Sequence, residues 1–86
     1  MAIVKKRLPA IEQNLLTQVV RFVQEFRKRK LNKTPGVSET IDWAESLMAL
    51  GYREIDPWAF EKTLGAVLKS SEDIQLAKQE GMEAFM

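Results

Sequence analysis

Acid–base and metal chemistry near neutral pH lean on histidine and cysteine, and this chain of 86 residues has neither. The commonest neutral-pH proton carrier and the commonest metal ligand are therefore missing. No disulfide or thiolate metal site is possible, so catalytic and metal residues are expected to be none. Carboxylates are the remaining route to general acid–base work. Asp42 and Glu45 lie three apart, and Glu72 and Asp73 are adjacent. Both sets fall on or near polar helix faces, where solvated surface and first-turn dipole charge are the expected roles. No apolar setting that would raise a carboxyl pKa is visible around them. A Walker-type phosphate loop is absent. The run Arg27, Lys28, Arg29 and Lys30, with Lys33, forms a basic surface that could meet phosphates. The same run also suits a solvated helix C-terminus.

Length and composition narrow the classes further. A mass of 9.9 kDa allows one domain, 1–86. The scaling of area with mass gives roughly 5,200 Å² of folded surface against about 14,400 Å² unfolded, enough for one thin core. Hydrophobic residues make up 45% and charged residues 29%, with net charge +1, which excludes disorder. No apolar run approaches the roughly 20 residues of a membrane span. The first residues place charge after apolar residues, the reverse of a secretory signal. The expected setting is the cytoplasm, without membrane contact. Charge is unevenly distributed. Residues 1–33 carry nine cations and two acids, whereas residues 34–86 carry four cations and ten acids. Such a split marks either a basic binding face or helices with complementary surfaces.

The elements that must position these groups read as helices. Leu8, Ile11, Leu15, Val19, Phe22 and Phe26 recur at spacings of three and four, which predicts a helix near 9–30 with Pro9 in its first turn. Pro35-Gly36 stops it. Ser38 is the predicted cap of a second helix near 38–50, with Ile41, Ala44, Leu47 and Met48 on one face, widened by Trp43 and Leu50, and Gly51 at its end. Asp56-Pro57 predicts a third start, 57–69, with Phe60, Leu64, Val67 and Leu68 inward. Ser71 with Glu72 and Asp73 predicts a fourth, 71–84, on which Ile74, Ala77 and Phe85 give a weaker face interrupted by Gly81. Trp43 and Trp58 both sit in apolar patterns and are expected as core anchors. Met1, Met48, Met82 and Met86 are too scattered to form a groove. No segment alternates with period two. The fold class is all-α, a small four-helix bundle.

Helix-turn-helix readout of DNA fits poorly. The second helix carries Glu39, Asp42 and Glu45 and no cation, and the connection from Lys30 to Ser38 is long for that motif. Nucleic acid is therefore not the expected partner.

One stretch stands apart. Lys33-Thr34-Pro35-Gly36-Val37-Ser38-Glu39-Thr40-Ile41-Asp42-Trp43-Ala44-Glu45-Ser46-Leu47 leads from a Pro-Gly turn directly into Glu-Thr-Ile-Asp-Trp-Ala. It resembles the C-terminal lid of MoxR-family AAA+ ATPases, in the branch that serves partners with von Willebrand A domains. Arg7-Leu8-Pro9-Ala10-Ile11 leading to Val19-Val20-Arg21-Phe22-Val23, then Ala49-Leu50-Gly51, then Thr63-Leu64-Gly65-Ala66-Val67-Leu68-Lys69 before Glu72-Asp73, resemble the same region in the same order. Together they cover about residues 5–75.

The resemblance implies an AAA+ lid, a four-helix unit that closes over ATP and Mg held by a preceding core with Walker motifs. It implies no hydrolysis by residues 1–86 alone. The implied partners are the core of the same chain, neighbouring subunits of an oligomer and a von Willebrand A domain protein, in chaperone-like remodelling or maturation. It places Gly36, Val37, Ser38 and Glu39 toward the nucleotide. Many such lids carry a sensor-2 arginine in this turn. Here Glu39 stands in its place, and a carboxylate does not stabilise a phosphate directly. The alternative reading is a free-standing helical interaction module that binds an acidic protein or RNA through the basic end of its first helix.

Overall fold

A computed structural model describes residues 2–86, and Met1 lies outside the described residues. The described residues form helices α1 (Ala2–Arg7), α2 (Gln13–Arg27), α3 (Val37–Ala49), α4 (Pro57–Val67) and α5 (Ser71–Glu80), then a 3-10 turn over Met82–Phe85, with no strand among them. The fold is all-α, a small helical bundle. α3 is the central element and packs against α4, α2 and α1.

Several boundaries differ from the periodicity reading, some for local reasons and one because of distant partners; α4 also ends at Val67, short of the expected 69. Pro9 does not open the long helix but closes α1, because the residue before a proline is pushed out of the helical region. The Leu8 N–H still bonds the Val4 carbonyl at 2.8 Å, and the Ile11 N–H turns back to Leu8 at 3.1 Å. α2 then starts at Gln13 with Glu12 before it. It ends at Arg27 rather than at Lys30, because Arg29 leaves the helix for partners on the C-terminal segment. α3 is preceded by Gly36 rather than by Ser38, which lies inside its first turn. α5 is capped by Ser70 rather than by Ser71, and stops at Glu80, where Gly81 takes φ +83°. The start at Asp56-Pro57 is as the sequence indicates: Asp56 Oδ1 accepts the Ala59 N–H at 2.7 Å.

The core is aromatic. Phe26 sits between Trp43 (centroids 5.9 Å apart), Phe60 (6.2 Å) and Phe85 (4.9 Å), and Phe22 meets Trp43 edge-on at 5.9 Å. Trp43 is fully buried. Its indole N–H donates to Thr63 Oγ1 at 2.7 Å, and the Thr63 hydroxyl donates in turn to the Ala59 carbonyl at 2.7 Å. Trp58 is not a core anchor. It is 65% exposed, with Lys62 Nζ 4.9 Å from its ring centroid. The reason is helical phase. Ala59, Phe60, Thr63, Leu64 and Val67 define the buried stripe of α4, and Trp58, two residues before Phe60, projects about 200° away from it. Leu50, expected to widen the α3 face, is also exposed.

The total accessible area is 5282 Å², the area expected of a folded chain of this mass. Thr63→Val keeps the shape of that side chain but leaves the buried indole N–H without an acceptor. The expected loss is about 1–3 kcal/mol, read by urea titration with an unchanged slope. Trp43→Phe combined with Thr63→Val should lose less than the sum of the two single changes. A loss below about 0.5 kcal/mol for Thr63→Val would show that the hydrogen bond does not hold α3 to α4.

Candidate functional site

The four residues placed toward a nucleotide by resemblance form the entry to α3. Gly36 lies just before the helix in extended backbone (φ −106°, ψ −158°), and the Thr40 N–H bonds its carbonyl at 3.0 Å, closing the first helical turn. The N–H groups of Val37, Ser38 and Glu39 precede that first bond, so the helix itself gives them no partner. Val37 is 43% exposed and Ser38 is exposed. A small polar turn with open N–H groups and a favourable dipole is suited to an anion.

Glu39 is committed elsewhere. Its Oε1 accepts the Gly36 N–H at 2.9 Å, the reciprocal half of a capping box whose other half glycine cannot supply. Thr40 Oγ1 donates to the Gly36 carbonyl at 2.7 Å, so both backbone groups of Gly36 are held by the first turn of α3. The Gly36 N–H, and after it the Glu39 N–H, hold the Glu39 carboxyl below its ordinary value of 4.5, against partial burial and with help from the nearby Lys69 charge.

Lys69 is the residue that helical periodicity could not find. It stands just beyond α4, yet its ammonium reaches Asp42 Oδ2 at 3.8 Å on α3 and is near enough to bias Glu39. The fold thus brings a cation beside the acidic first turns of α3. The only signal in the sequence is its place at the end of the Thr63–Lys69 stretch.

The basic run does not form one face. Lys28 pairs with Glu25 at 2.9 Å. Arg29 is drawn down, donating to Glu80 Oε1 at 2.7 Å and to the Ala84 carbonyl at 2.8 Å, with its guanidinium 4.6 Å from the Phe85 centroid. Arg27, Lys30 and Lys33 remain exposed at the end of α2 and beyond it. The acidic pairs also divide. Asp42, Glu45 and Glu72 are exposed, as expected of solvated charge. Asp73 is not: it is 3% exposed, and its two oxygens accept the N–H groups of Asn32 at 2.9 Å and Lys33 at 3.0 Å. A first-turn acid on α5 has become a buried acceptor for the α2–α3 connection, a role that local pattern does not encode.

The Glu39 cap has a pH signature. A carboxyl whose folded pKa is lowered adds stability above the unfolded value, and that stability is lost as pH falls through the folded value. Glu39→Gln keeps an acceptor but loses the charge. The variant should melt below the wild type at pH 6, and the gap should close as pH falls below about 4.5. A gap of equal size at pH 6 and pH 3, by thermal melting followed by circular dichroism, would rule out the charged cap.

Comparison of the chain with protein-family models, curated proteins and solved structures gave no match. No helix among the described residues is long and apolar enough to cross a membrane.

Proposed function

We propose that this chain is the C-terminal lid of a MoxR-like AAA+ ATPase, working in the cytoplasm. It closes over ATP and Mg held by the core and passes the nucleotide state to neighbouring subunits and to a partner protein, such as one with a von Willebrand A domain. The ATPase centre belongs to the core, and residues 1–86 do not hydrolyse ATP alone. The observation that carries the reading is the place of the Lys33–Leu47 stretch. The residues that resemble the family's nucleotide-facing turn are the first turn of α3, where the N–H groups of the exposed Val37 and Ser38 have no partner within the helix. The all-helical fold is consistent with a lid.

In this reading Glu39 does not act as a phosphate sensor. It caps the helix, and the positive charge comes from Lys69, which already neighbours this turn. Closure brings a triphosphate toward the N–H groups, and Lys69 leaves Asp42 to meet it. The long Lys69–Asp42 separation suits a contact that exchanges at little cost. A free-standing basic module is the weaker reading, because Arg29 and Lys28 are already engaged within the chain.

Two measurements test the proposal. The reading frame upstream of residue 1 should run into a Walker-type core, and a stop codon followed by a ribosome-binding site there would overturn the lid reading. In the full-length ATPase, Lys69→Met should weaken ATP binding about tenfold, or 1.4 kcal/mol, whereas Arg27→Met should leave it unchanged. Equal ATP affinities for wild type and Lys69→Met would remove Lys69 from the nucleotide.

A further inference from the structure

The connection between α2 and α3 is shaped from outside. It has no repeating backbone pattern of its own, only short bonds such as that from the Leu31 N–H to the Arg29 carbonyl at 3.1 Å. What fixes it is the C-terminal segment. Arg29 holds Glu80 and the Ala84 carbonyl and covers Phe85. The buried Asp73 carboxylate takes two successive N–H groups of the connection, and Asn32 Nδ2 donates to Ser70 Oγ at 3.2 Å. The dependence is mutual. α5 fully buries only Asp73 and Ala77, with Ile74 partly buried against the core, so its apolar seat is small and the same polar contacts add to its docking. Gly81 at φ +83° then separates α5 from the 3-10 turn, whose Phe85 is anchored on Phe26.

We propose that α5 and the 3-10 turn form a latch on the α2–α3 connection, one that opens as a unit and frees residues 29–33, the run that leads to the entry of α3. Two sets of contacts hold it: the Asp73 carboxylate on the Asn32 and Lys33 N–H groups, and the Arg29 fork on Glu80 and Ala84. Both sets act on residues 29–33, so release of one loosens the hold of the other. A force that lifts α5 therefore reaches the turn before α3 directly through the Asp73 contacts, and opening of the whole unit also withdraws Phe85 from Phe26 and Phe60. If the chain is a lid, the latch links the docking of α5 to the nucleotide-facing turn. The latch itself rests only on contacts within this chain, so its failure would leave the lid reading intact.

Native-state hydrogen exchange on the chain tests it, with Arg29→Gln and Asp73→Asn as the variants. The amides to follow are Asn32 and Lys33 in the connection and Ala84 and Met86 in the 3-10 turn, with Leu47 and Leu64 as core references. A unit that opens together exchanges together. Arg29→Gln should speed exchange about threefold at both sets, in keeping with a partly exposed ion pair. Asp73→Asn should speed both about tenfold or more, because it weakens hydrogen bonds to a charged acceptor. The core references should not change. Acceleration confined to residues 80–86 in Arg29→Gln, or no acceleration at all, would overturn the latch. If Asp73→Asn exposes the core amides as well, that variant has unfolded globally and Arg29→Gln alone decides.

Discussion

The indole N–H of Trp43 is enclosed by the core, and its hydrogen-bond partner is the Thr63 hydroxyl. That single requirement fixes the register of α3 against α4. Burying a tryptophan removes 150–250 Å² from water, about 4–6 kcal/mol of driving force at the usual coefficient. The gain is kept only if the polar atom is satisfied, since an orphaned donor would cancel a large part of it. Thr63 can serve because its own hydroxyl proton goes to the Ala59 carbonyl one turn back. The chain of bonds thus ends on the backbone of α4. No buried side-chain nitrogen or oxygen among the described residues lacks a partner, so the aromatic cluster of Phe22, Phe26, Trp43, Phe60 and Phe85 closes without polar frustration.

With α3 registered in this way, its two ends become fixed points for the rest of the molecule. At the start, Glu39 and Thr40 tie both backbone groups of Gly36. At the end, Gly51 turns through φ +81° and the Tyr52 N–H reaches the Leu47 carbonyl at 2.9 Å, the crossed pattern of a glycine-terminated helix. The chain can therefore enter and leave α3 in only one way. The entry turn stays exposed while the middle of the helix is dry. A site on that turn would be rigid in its backbone and open to solvent, which is the combination that recognition of an anion by N–H groups requires.

The bundle was legible in the sequence where periodicity and punctuation agreed. Phe22, Phe26, Leu47, Phe60 and Leu64 are buried as their spacing demands, and Asp56-Pro57 opens a helix because cap and φ restriction coincide at adjacent residues. Legibility failed where the signal was apolar character without phase, as at Trp58 and Leu50. It failed again at Pro9, where one residue type serves both to end a helix and to begin one. The candidate turn at Gly36–Glu39 could be found from its residues, but its electrostatics could not. Lys69 and Asp73 act across the fold, and no window along the chain contains both partners of either contact. Helix ends likewise depended on distant groups: α2 stops at Arg27 because Arg29 has partners more than fifty residues away.

The uneven charge distribution illustrates the same point at the level of the whole chain. A basic first third and an acidic remainder suggest an outward-facing cationic surface, but several of the contrasts are resolved inside the fold. Arg29 meets Glu80, Arg53 reaches back to Glu12 at 3.4 Å, and the connection after α2 supplies N–H groups to Asp73. The pairs are not equal in worth. The Arg53–Glu12 pair is well exposed and contributes little, as surface ion pairs do. Asp73 is buried, so the N–H groups it accepts are needed to offset its desolvation. The charge that directs folding is thus the buried acid, and the charges left for recognition are those without such a commitment. On α2 and its extension these are Arg21, Arg27, Lys30 and Lys33. Beside the entry to α3 it is Lys69, whose partner is distant enough to be exchanged.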